Sequence, residues 1–141
     1  MFYVNRALPV RVWSSILTNG SFGYIAADSG MGNMWLKNAR ELRITPWMND
    51  PTAIEGAESL EYVTDSGRYS LFADEDGAAC RVTFGLGFAV WEKSFGDCAS
   101  RCTAFVPPNL DARVFIIKLF GEANGRLDWC CELLLSDNDN D

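Results

Sequence analysis

Apolar residues in this chain recur at every second position in short runs, and clusters of Gly, Asn, Asp and Pro divide the runs. Such a period of two is the mark of strands with one face toward a core. The run 11–17 ends at the turn signal Thr18-Asn19-Gly20, and Phe22, Tyr24 and Ala26 then alternate with smaller residues, which predicts an opening hairpin. Leu60 and Tyr62 share one face of a strand over 59–63, and Thr64-Asp65-Ser66-Gly67 turns it into 68–72 as a second hairpin. Asp74 to Gly77 is a further turn, followed by β-like runs over 79–84 and 88–94 around Gly85-Leu86-Gly87.

The pattern continues over 98–106 and stops at Pro107-Pro108. Segment 112–120 is apolar on both faces, with Val114 and Ile116 on one and Phe115, Ile117 and Leu119 on the other, so it is expected to be a central strand covered on both sides. Residues 122–125 predict a hairpin into the last strand, 126–135, which aligns Leu127, Trp129, Cys131, Leu133 and Leu135 on one face. No segment combines a helical period with caps at both ends. The expected class is all-β, an antiparallel β-sandwich forming a single domain over 1–135, with a disordered acidic tail over 136–141.

Residues 30–51 break this regularity. Gly30, Gly32, Pro46 and Pro51 disfavour a regular helix or central strand across the stretch, which therefore reads as a long loop. It concentrates Trp35, Asn38, Arg40, Glu41, Arg43, Trp47, Asn49 and Asp50. Indole faces beside guanidinium, amide and carboxylate groups suit a sugar, which offers an apolar face to stack and hydroxyls to bond. The same residues also serve to pin a loop over a core, with buried tryptophans and paired arginines. Exposed, coplanar indoles would favour binding, and buried ones would favour a scaffold.

Charge and composition narrow the partners. The 141 residues are 48% hydrophobic and 22% charged, an ordinary globular balance. With 19 acids against 12 bases, a net charge of -7 argues against nucleic acid or an anionic membrane and for a neutral ligand or a protein. Histidine is absent, so any chemistry would rest on carboxylates. Glu41 and Asp50 are the pair to consider for glycoside hydrolysis, although acids beside Arg40 and Arg43 more often form ion pairs.

The five cysteines lack CxxC spacing. Cys130 and Cys131 point to opposite strand faces, and Cys98 and Cys102 lie roughly 13 Å apart along a strand, so all five are expected to be reduced and mostly buried. No metal or cofactor is expected. Gly85-Leu86-Gly87 lacks the third glycine and following helix of a nucleotide loop. The N-terminus, interrupted by Asn5, Arg6 and Pro9, does not read as a secretory signal, and no apolar run reaches the ~18 residues of a membrane span. The expectation is a soluble, cytoplasmic chain.

Four pieces of the sequence, WSSILTNGSFGYIAADSGMGNMW, NARELRITPWMNDP, FGLGF and AFVPPNLDARVFIIKL, resemble in order and spacing the N-terminal β-sandwich of the cellobiose phosphorylase family. That family also includes the phosphorylase portion of cyclic β-1,2-glucan synthases. The second piece is the most diagnostic, with Asn38, Arg40, Glu41, Thr45, Pro46, Trp47, Asn49, Asp50 and Pro51 on the family string. The resemblance implies a sandwich that, in full-length members, precedes a helical linker and an (α/α) barrel. The barrel carries the acid for inverting phosphorolysis of β-glucosidic bonds, so no catalytic residue is expected in this chain. It also implies a truncated, divergent or split sandwich. One departure is clear: Phe84 and Phe88 stand where the family usually has His and Tyr. The implied roles are a non-catalytic accessory domain on a catalytic barrel or protein partner, or a free-standing module that binds β-glucan oligosaccharide through Trp35 and Trp47.

Overall fold

The computed structural model describes residues 2–6, 12–30, 32–46, 58–73, 78–121 and 124–134. Among them the regular elements are strands: β1 (Phe2–Arg6), β2 (Ser14–Thr18), β3 (Phe22–Ala27), β4 (Met34–Leu36), β5 (Glu58–Thr64), β6 (Gly67–Ser70), β7 (Cys80–Gly85), β8 (Phe88–Phe95), β9 (Cys98–Phe105), β10 (Val114–Phe120) and β11 (Gly125–Cys131). Their sheets run β1-β7-β8-β9-β10, β11-β5-β6 and β2-β3-β4, with every pairing antiparallel. The all-β, antiparallel sandwich read from the alternation is the fold observed.

The alternation translates directly into burial. On β7 to β9 the inward rows are Cys80, Val82 and Phe84, then Ala89, Trp91 and Phe95, then Cys102 and Ala104. Leu17, Tyr24, Leu60, Tyr62 and Phe72 join them in one core. Trp91 is its centre. The indole is fully buried, meets Phe72 edge-on at 5.1 Å, and donates from Nε1 to the carbonyls of Ala27 (3.1 Å) and Asp28 (3.0 Å). A buried indole N–H without an acceptor would cost about 1–3 kcal/mol, so these bonds fix where the β3 end meets the five-stranded sheet.

Four features differ from the sequence reading. The N-terminal segment forms β1, which pairs with β7 from Phe2↔Phe84 to Arg6↔Cys80. Strand β10 is an edge strand, not a central one. Phe115 and Ile117 pack on the core, while Ile116 and Phe120 on the other face are exposed. An apolar run says that both faces avoid charge, and it does not say whether a neighbour covers them.

Strand β11 makes no hairpin with β10. It crosses to another sheet and pairs with β5, with Leu127 opposite Tyr62 and Trp129 opposite Leu60. At the start of this crossing Gly121 holds φ 109°, against the carbonyl of Asp97. The inward face of β11 therefore overhangs the core, and Leu127 and Trp129 are 43% and 59% exposed rather than buried. Finally, only Cys80 and Cys102 are buried; Cys98 and Cys131 are half-buried and Cys130 is exposed. None is in a disulfide.

Candidate functional site

The stretch singled out in the sequence is more regular than a loop. Its first half supplies β4, which pairs with β3 through Phe22↔Leu36, Gly23↔Trp35 and Tyr24↔Met34. The chain then reverses and runs back along β4, making a bridge between Trp35 and Arg43. Leu36 N donates to Leu42 O and Ile44 N to Met34 O, at 2.9 and 2.8 Å. Lys37, with φ 58°, starts the reversal in the left-handed region. Asn38 organises it: its Oδ1 accepts from Arg40 N and its carbonyl from Leu42 N, each at 2.9 Å. Such a local side-chain bond is the usual service of Asn in a turn. Thr45 closes the return, its buried Oγ1 accepting from Met34 N at 2.9 Å.

The predicted site residues thus separate by role. Asn38 is a turn residue, and Arg40 and Glu41 are exposed beside it. Arg43 is half-buried on the returning segment. Trp35 is half-buried because the buried Gly23 lies beneath its indole; a Cβ on Gly23 would overlap the ring. Trp35 is an anchored side chain, with one face occupied by its own sheet. Trp47, Asn49 and Asp50 lie outside the described residues, so the Glu41/Asp50 and Trp35/Trp47 pairings do too.

Three of the turns converge at one end of the molecule. Asn19 Oδ1 accepts from Ser21 N and Phe22 N, and its Nδ2 donates to the carbonyls of Pro107 and Leu110, both at 3.1 Å. Ser21 Oγ donates to Asp111 Oδ2 at 2.9 Å, and Ser21 O accepts from Lys37 N at 2.5 Å. The string around Asn19-Gly20-Ser21 and the string around Pro107 to Asp111 are pieces of the resemblance. Their residues are spent on holding these turns together.

Behind this end lies a buried charge cluster that the sequence did not reveal. Arg113 donates from Nη1 to Glu58 Oε2 at 2.6 Å and from Nη2 to Oε1, with the two side chains 4% and 1% exposed. The guanidinium sits 4.5 Å from the ring centroid of Tyr24 and 4.4 Å from that of Phe115. Burial pushes the Tyr24 hydroxyl far above its ordinary range, and that hydroxyl donates to Gly30 O at 2.9 Å. Burial also pushes the Cys102 thiol up to about 12. Trp129 Nε1 donates to Glu58 Oε1 at 2.6 Å. Arg113, just before β10, and Trp129, in β11, therefore grip one carboxylate and set these two edges on the same side of the fold.

These carboxylates are occupied with structure. Asp28 is fully buried and accepts from Trp13 N and Ser29 N; burial nonetheless raises its pKa. Asp128 is lowered by the bond from Arg126. Among the described residues no group of three or more His, Cys, Asp or Glu is gathered to hold a metal, and no helix is long and apolar enough to cross a membrane.

Comparison with known proteins agrees with this architecture. The family model described as the glycosyl hydrolase 94 supersandwich domain matches residues 2–127. The chain is also similar to the cyclic beta-(1,2)-glucan synthase NdvB of Rhizobium meliloti (strain 1021), 28% identical over 83 residues that make up 55% of this chain and 3% of that protein. It thus spans a small fraction of that relative's length.

Proposed function

The chain belongs to the glycosyl hydrolase 94 supersandwich family, and from that premise we propose that it is a non-catalytic accessory domain of a β-glucan-active enzyme. In this reading it packs against the catalytic barrel of that enzyme, in the same or another polypeptide. The observation that carries the reading is the uncovered inward face at the β10 and β11 edges. Leu119, Leu127 and Trp129 point to the core side of their sheets yet stay exposed. Large apolar side chains facing inward at a sandwich edge mark a surface that is buried in a larger assembly. The carboxylates support the same conclusion, since Glu58, Asp28 and Asp128 are held by structural partners.

A free-standing sugar module centred on the 30–51 stretch fits less well. Its described indole, Trp35, has one face against Gly23. The direct test is co-expression of the chain with the barrel portion of a family enzyme, followed by size-exclusion chromatography with light scattering. A complex is expected, and Leu119→Ser with Leu127→Ser should dissociate it. Failure to form a complex with any family barrel, with the chain folded, would sink the reading.

A further inference from the structure

The outward face of the five-stranded sheet carries a cleft that the docking surface does not use. Here Arg81, Glu92 and Arg101 stand in register as one cross-strand row. In the next row Ser94 pairs with Ala99, and Ala99 with Phe120. Small side chains between a row of long polar ones and a bulky ring leave a trough, and a cavity of about 410 Å3 occupies it. That volume falls within the ~300–1,000 Å3 typical of ligand sites.

From this geometry we infer that the trough binds a neutral oligosaccharide. Phe120, 54% exposed, offers an apolar ring face for stacking at one wall. Arg101 and Glu92, paired at 3.4 Å and each partly exposed, supply N–H donors and carboxylate acceptors at the other. A sugar needs both kinds of wall, since its hydroxyls donate and accept while its C–H faces are apolar. Glu92 stands between Arg81 and Arg101 in the row, so this wall presents acceptors beside donors instead of cations alone. The floor of small side chains, Ser94 and Ala99, keeps the trough open and shallow, as suits an extended chain of rings rather than a compact apolar ligand.

The choice of a β-glucan as probe rests on the accessory-domain reading; the trough itself does not. The test is a ¹⁵N NMR titration of the whole chain with linear β-1,2-linked glucotetraose and, separately, with inorganic phosphate. Amide shifts on adding the sugar are expected to centre on Glu92, Ser94, Ala99, Arg101 and Phe120. Phe120→Ala and Arg101→Ala should each weaken binding by at least ~5-fold while preserving spectral dispersion, and Trp35→Ala should leave the affinity unchanged. Absence of sugar-induced shifts, shifts centred on the turn at Asn38, or the same shifts from phosphate alone would overturn the inference. Because Leu119 and Leu127 do not line the trough, loss of sugar binding and loss of barrel docking are separately visible.

Discussion

Glu58 and Arg113, fifty-five positions apart, form a bidentate ion pair sealed from solvent beneath the β10 and β11 edges. Two buried charges that satisfy each other are tolerable, whereas one alone is not. Glu58→Gln should therefore cost about 3–5 kcal/mol in urea denaturation, and Glu58→Leu combined with Arg113→Met should recover most of it. A single-variant loss below about 1 kcal/mol would show the pair to be dispensable.

Asp28 predicts a pH dependence of opposite sign to that of a paired surface acid. Its folded pKa is raised by burial, so the native state holds the proton more tightly than the unfolded chain. Below the unfolded value of ~3.9 the group is protonated in both states and its stabilising contribution is fully present. That contribution is lost as pH rises through the raised folded value. Urea midpoints measured between pH 4 and 7 should show this downward component in the parent and lack it in Asp28→Asn. Identical slopes would refute the assignment.

Thiol chemistry should sort the cysteines by position. At pH 8 a disulfide reagent is expected to modify exposed Cys130 within the native protein. Cys102, buried and pushed up to about 12, and buried Cys80 should react only after unfolding in guanidinium. Fast native labelling of Cys102 would contradict the core described above.

Trp35 offers the cleanest separation of anchor from sugar platform. With its indole lying on Gly23, Trp35→Ala should cost about 1–3 kcal/mol, and Gly23→Ala should be destabilising through overlap with the ring. A platform held only for ligand would be removable within ~0.5 kcal/mol.

What the sequence discloses and what it hides follow from range. Period-two alternation reports which face of a strand is inward, and Leu60, Tyr62, Val82, Trp91 and Cys102 are buried as that rule requires. Pairing partners are set by contacts distant in sequence, so the crossing of β11 to β5 and the edge position of β10 were not legible. In the stretch around Trp35, residue types suggested a ligand surface, but the glycine beneath the indole and the bonds of Asn38 assign that chemistry to a turn. Nothing local in sequence joins Glu58 to Arg113, so their pairing is not legible in any single run. The trough beside Phe120 depends on register across three strands, which no single run encodes.

The pairing of β1 with β7 also imposes an order on synthesis. Phe2 is in register with Phe84 and Arg6 with Cys80, so β1 leaves the ribosome some eighty residues before the strand it pairs with. Hairpins β2-β3, β5-β6 and β7-β8 close locally and can form as they emerge. Strand β1 instead pairs only across a long loop, whose closure entropy it pays when it adds to the edge of β7. A nascent chain arrested before Phe84 is thus expected to be protease-sensitive at β1, and one arrested beyond β9 is expected to be protected there.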